Sequence, residues 1–140
     1  MTDRPIVTYA REPGLAAVEF RQVLLDSGLS SIRPVDDLPR LEAMLNAADL
    51  IVTARLASTG ALVGVARGVT DFAWICYMSE VAVSRSAQGL GIGNGLMDET
   101  RQLLGPKVAL VLASVPEAVG FYERIGMERV ADAFWYPRKP

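Results

Sequence analysis

The stretch Val81-Ala82-Val83-Ser84-Arg85-Ser86-Ala87-Gln88-Gly89-Leu90-Gly91-Ile92-Gly93-Asn94-Gly95-Leu96 passes from an apolar run, through a glycine-rich loop, into a helical pattern. Glycines let the backbone come close to a ligand. A helix that begins straight after such a loop leaves its first amide N–H groups unbonded at the positive end of its dipole. The combination is an anion site, and a pyrophosphate is its natural guest. Three phosphate-binding patterns can be tried on it. The dinucleotide fingerprint G-x-G-x-x-G fails, because Asn94 and Leu96 stand where a third glycine is needed. No Asp or Glu follows about 20 residues on. The P-loop fails for want of a Gly-Lys-Ser/Thr triplet. The pattern Gln/Arg-x-x-Gly-x-Gly/Ala is met by Gln88-Gly89-Leu90-Gly91-Ile92-Gly93.

Outward from the loop, Phe72 to Val83 is a long apolar run with Trp74, Ile75, Tyr77, Val81 and Val83, expected as a central strand. Asp71 before it reads as a turn residue. Leu50 to Leu56 and Leu62 to Val69 flank the turn Ser58-Thr59-Gly60 and predict a hairpin. Nearer the N-terminus, Ile6 to Ala10 reads as a short strand. Pro13 opens a helical stretch through Leu15, Val18 and Leu25, which Gly28 ends. Asp36 or Asp37 caps a second helix, with Pro39 in its first turn and Leu38, Leu41, Leu45 and Ala48 at helical spacing. Beyond the loop, Leu96, Met97, Leu103 and Leu104 form one stripe that Gly105-Pro106 stops. Val108 to Ala113 is an apolar strand. Pro116 starts a helix with Ala118, Phe121, Tyr122 and Ile125 on one face and Gly126 as its C′ residue. Arg129 to Tyr136 reads as a last strand. The order β-α-α-β-β-β-α-β-α-β predicts an α+β or mixed α/β fold with one central sheet, in a single domain over residues 1–140.

The chain has 140 residues, 51% hydrophobic and 21% charged, with a net charge of -2. That balance fits a globular domain with a buried core and no nucleic-acid interface. There is no histidine, which excludes Ser-His-Asp and Cys-His nucleophiles and histidine-bearing zinc sites. Cys76, the single cysteine, allows no internal disulfide and fits a reducing compartment. No metal is expected. The N-terminus lacks the features of a signal peptide, and no apolar run approaches the roughly 18 residues of a membrane span. A cytoplasmic chain without membrane or nucleic-acid partners is expected.

A second motif, Ala118-Val119-Gly120-Phe121-Tyr122-Glu123-Arg124-Ile125-Gly126-Met127, joins the loop motif. With both, and with this element order, the chain resembles the GNAT superfamily of N-acetyltransferases over most of its length. The resemblance implies a mostly antiparallel, splayed central sheet flanked by about four helices. It implies acetyl-CoA as cosubstrate and a small-molecule or protein amine as acceptor. Backbone amides from Gln88 through Gly89, Leu90, Gly91, Ile92 and Gly93 to Asn94 are expected to hold the CoA pyrophosphate. The backbone of Val81 and Val83 is expected to pair with the pantetheine arm. Many members carry an Asn before the second motif. Ser114 occupies that region here, either replacing the contact through its hydroxyl or capping a helix. Tyr122 matches the tyrosine that protonates the departing sulfur in many members, against the plainer role of an apolar helix face. Glu80 is the candidate general base. A carboxylate inside an apolar strand is unusual unless it is used or paired, and strand alternation turns it away from Val81 and Val83. A structural ion pair is its other role. Asp36, Asp37 and Glu80 together hint at a cationic substrate. Dimerisation is frequent in the family, so a homodimer is a candidate assembly. A non-catalytic acyl-CoA-binding sensor is the alternative function.

Overall fold

A computed structural model describes residues 4–140. Strands β1 (Val7–Arg11), β2 (Leu50–Leu56), β3 (Leu62–Thr70) and β4 (Ile75–Val83) pair antiparallel in that order. β5 (Ala109–Leu112) joins β4 in parallel and ends the sheet. Helices α1 (Ala17–Ser27) and α2 (Leu38–Ala47) precede β2, α3 (Ile92–Leu104) links β4 to β5, and α4 (Val119–Arg124) follows β5. The mixed sheet with four α-helices is the expected class.

Local chemistry accounts for the boundaries. Asp37 caps α2, accepting from the Arg40 amide at 3.1 Å, with Pro39 in the first turn. α1 ends on Gly28 at φ 88°, the left-handed conformation glycine reaches without strain. Asp71 accepts from the amides of Ala73, Trp74 and Ile75, so its carboxylate builds the β3–β4 turn, as expected of a turn residue. β4 therefore begins at Ile75 rather than Phe72.

Each face of the sheet carries its own core. On one, Phe20, Val23 and Leu24 of α1 and Leu41 and Leu45 of α2 pack on Ile51, Val65 and Ala82. On the other, Ile92, Leu96 and Leu104 of α3 pack on Leu50, Val52, Ala54, Cys76 and Met78. Each fully buried Leu, Phe or Ile contributes about 1.5–3 kcal/mol. Leu103, expected on the α3 stripe, is exposed, and Thr100 is buried in its place with its hydroxyl donated to the Leu96 carbonyl.

β4 carries a bulge. Arg67 of β3 stands opposite Glu80 and Gly68 opposite Met78, which leaves Ser79 unpaired. The extra residue reverses the alternation. Cys76 and Met78 face α3, and so do Val81 and Val83, whereas Ala82 joins the α1–α2 core.

Two expectations need correction. The helix expected from Pro116 begins as a 3-10 turn, Pro116–Ala118, and α4 proper is a short helix ending before Ile125. Arg129 to Tyr136 is not a strand. The segment is irregular and open, with Phe134 95% and Tyr136 102% exposed. β-propensity expresses side-chain packing on a neighbouring strand, and no strand borders this segment among the described residues.

Candidate active site

The quoted stretch folds into an unpaired strand edge, a loop and a helix start. β4 and β5 pair from Ile75 opposite Ala109 to Met78 opposite Leu112. Beyond that point β4 runs on to Val83 with no β5 partner, and the two strands part into a wedge. Backbone polar groups on such an edge need some other partner. Val81 and Val83 lie on this free portion, half-buried on the α3 side.

A 3-10 turn, Arg85–Ala87, leads to Gln88 and the glycines. Gly89 and Gly91 adopt φ values of 87° and 74°, where other residues are strained. An added Cβ at either would meet nothing within 4 Å, so the loop surface is open. Gly91 is the N-cap of α3, with no side-chain cap and no acidic residue in the first turn. The first amides of α3, including those of Ile92, Gly93 and Asn94, therefore stay available to an anion. The side chains of Leu90 and Ile92 turn to the core, so the loop presents backbone. Arg85 does not join it: its guanidinium lies against Gly28 at the end of α1.

Gly93 joins the two motifs. A Cβ there would stand 3.0 Å from the Phe121 ring, so its absence lets α4 seat against α3. Phe121 and Tyr122 pack edge-on with centroids 5.0 Å apart. Tyr122 is half-buried and lines a cavity of about 50 Å³ in the wedge, with Ser79 and Val81 of β4, Ser114 beyond β5, and Arg33. Burial pushes the Tyr122 phenol up, so it stays protonated through the neutral range. No partner engages its hydroxyl among the described residues. Ser114 does not cap a helix. Its hydroxyl donates to the Val115 carbonyl at 2.7 Å, which leaves its oxygen as an acceptor toward the wedge. A larger cavity of about 670 Å³ lies between α3 and the segment after α4, with Asn94, Met97 and Leu110 in its wall.

Glu80 is placed elsewhere. It is 2% exposed on the α1–α2 side, and Arg67 grips it through Nε to Oε1 and Nη2 to Oε2 at 3.0 Å. Arg33 adds Nε to Oε2 at 3.1 Å and also donates from Nη2 to the Ser79 carbonyl at 2.6 Å. Burial alone would raise the Glu80 carboxyl. The hydrogen bonds and charge of Arg67, with the charge of Arg33, outweigh it and hold the group below the ordinary carboxylate value. A carboxylate so saturated is a poor proton acceptor, and the geometry opposes the general-base role expected for Glu80. The hint of a cationic substrate weakens with it, since Asp37 is committed to its cap and Asp36 is exposed. Sequence reasoning missed Arg33 and Arg67. Neither stands in a motif, and the sole signal was a strand carboxylate in need of a partner.

Known proteins share this fold. A family model described as "Acetyltransferase (GNAT) domain" matches residues 39–135. The chain belongs to the GNAT acetyltransferase family. Relatives by sequence include an uncharacterized N-acetyltransferase of Porphyra purpurea, 31% identical over an 87-residue alignment that covers 58% of this chain and 50% of that protein. The chain spans about half the length of these curated relatives. Among solved structures, a GNAT family acetyltransferase from Streptococcus pneumoniae aligns at TM-score 0.71 and 22% identity, covering 96% of this chain and 100% of that one. An aminoglycoside N-acetyltransferase solved in complex with CoA aligns at TM-score 0.73 and 14% identity, covering 100% of this chain and 99% of that one. At these identities both alignments speak to the GNAT fold.

A substitution tests the loop. Gly91→Ala should cost about 1 kcal/mol of stability from its left-handed backbone, read by urea unfolding. It should also weaken CoA binding about tenfold, read by calorimetric titration, if the amides beside it hold the phosphates. Unchanged affinity would move the phosphate site elsewhere.

Proposed function

We propose that this chain is an N-acetyltransferase that moves an acetyl group from acetyl-CoA to a primary amine by direct attack in a ternary complex. The observation that carries it is the wedge: β4 leaves β5 between an open loop of amides on one side and the Tyr122 hydroxyl on the other. A ligand with a pyrophosphate, an extended polar arm and a reactive end fits that order of features. In this reading the amides from Gln88 to Asn94 hold the pyrophosphate, and the free edge at Val81 and Val83 takes the arm as an added strand. The Ser114 oxygen accepts one of the arm's N–H groups. CoA supplies an activated thioester.

The protein's own groups then have few tasks. A backbone amide of the free β4 edge polarises the thioester carbonyl. Tyr122, kept neutral by burial, gives its proton to the departing sulfur, whose pKa of about 8.5 otherwise makes it a moderate leaving group. The acceptor must arrive as free amine. Among the described residues lining the small cavity no carboxylate stands ready to deprotonate it, so water takes that proton.

Acetyl-CoA should stabilise the chain against heat far more than NAD or ATP does. At about 100 times its dissociation constant the gain is about 2.7 kcal/mol, read by a thermal-shift series. Equal stabilisation by NAD would overturn the loop's assignment. Thiol release from acetyl-CoA with a panel of amines tests the activity, and binding without release for any amine would leave an acyl-CoA sensor.

A further inference from the structure

We infer that the acceptor carries a carboxylate near its amine, and that Arg33 is the residue that recognises it. This rests on the acetyltransferase reading above and names the substrate class for the same wedge.

The two sides of the wedge differ. The glycine loop opens α3, on one face of the sheet, whereas Arg33 stands in the connection between α1 and α2 on the other. If the cosubstrate enters along the loop, the acceptor has the Arg33 side left to it. Of the described residues lining the cavity, Arg33 is the only charged one. Its charge is not cancelled. Two guanidinium groups, Arg33 and Arg67, share one carboxylate, and Glu80 is the only acid paired with either among the described residues. The cluster therefore keeps one net positive charge. Arg67 is buried behind Glu80, while the Arg33 side chain is 19% exposed, so the surplus faces the cavity through Arg33.

Arg33 is also held in place. Its Nε donates to Glu80, Nη1 to the Ile32 carbonyl at 3.0 Å and Nη2 to the Ser79 carbonyl. A guanidinium has five N–H groups, so one on each terminal nitrogen remains, the number a carboxylate takes in a two-point grip. A fixed cation here repels a second ammonium and draws an anionic group. It also favours the uncharged form of a neighbouring amine, which is the form that must attack. The wedge thus suits an amino-acid-like substrate and works against a polyamine or another polycation.

Matched amine pairs test this. Thiol release from acetyl-CoA is followed for amino acids and for the corresponding carboxamides, with kcat/KM expressed per unbonded free amine. Diamines serve as the cationic arm. The acids should exceed their amides by roughly tenfold or more, the scale of a charged hydrogen-bonded contact, and diamines should be poorest. Arg33→Met should bring the acid-to-amide ratio near one, while Arg33→Lys, which keeps the charge, should retain part of it. A ratio cancels any loss of folded protein. Amides or diamines preferred by the parent chain, or a ratio unmoved by Arg33→Met, would overturn the proposal. Failure of the underlying activity looks different: no thiol release with any amine.

Discussion

Tyr122→Phe should lower kcat by roughly 10² or more, the range for loss of a general acid, while leaving the fold and CoA affinity nearly intact. The ring that packs edge-on against Phe121 is kept, and only a hydroxyl without a protein partner among the described residues is removed. In the proposed role that hydroxyl meets charge that grows on sulfur late in the reaction, so binding should change by no more than a few-fold. Burial lifts the phenol above its usual pKa of about 10. In that role the parent protein should lose activity to tyrosine ionisation only above pH 10, and the variant should lack that limb. Steady-state kinetics across pH with a thermal melt decides the matter. A variant with a lower melting temperature and near-normal turnover would make Tyr122 a packing residue.

Replacing Glu80 should strongly destabilise the fold. Glu80→Ala leaves two guanidinium groups facing each other inside the protein, and breaking a buried pair in this way costs about 3–5 kcal/mol. The sign of the pH effect follows from the lowered carboxyl. Its contribution is present above the unfolded value of about 4.3 and is lost as pH falls toward the lower folded value. The parent protein should weaken on acidification through that window, and Glu80→Gln should flatten the acid limb. Urea unfolding between pH 3 and pH 7, read on both variants, is the measurement. Full stability with a 10²-fold loss of turnover would instead return Glu80 to the role of general base.

Residues that act through nearby neighbours were legible in the sequence. The glycine spacing from Gly89 to Gly93 announces a helix start because backbone conformation is a local property, and Gly89 and Gly91 take the left-handed values that only glycine adopts freely. Asp37 and Asp71 likewise bond amides within four residues. The Glu80 cluster was hidden because its partners Arg67 and Arg33 lie 13 and 47 residues away. Strand alternation did put Glu80 opposite Val81 and Val83, but it could not show that Met78 would share their side, since the irregularity at Ser79 follows from pairing with β3. The final run, Phe134 to Tyr136, has strand-forming side chains and no strand beside it, so composition alone misjudged it.

The unpaired Ser79 sets where β4 can change length. The residues that face α3 are Cys76 and Met78 before it and Val81 and Val83 after it, and this one residue is the offset between the two sets. Deleting it sets Glu80 directly after Met78. Plain alternation then keeps all four toward α3 and leaves Glu80 and Ala82 toward α1 and α2. What is lost is the bulge and the Ser79 carbonyl that accepts from Arg33. A residue added or removed in the regularly paired stretches on either side has the opposite result, because it turns every side chain beyond it to the other face. Such a change would part Glu80 from Arg67, or take Met78 or Val83 from the α3 side. Length in β4 can therefore change at the bulge and not in the paired stretches beside it.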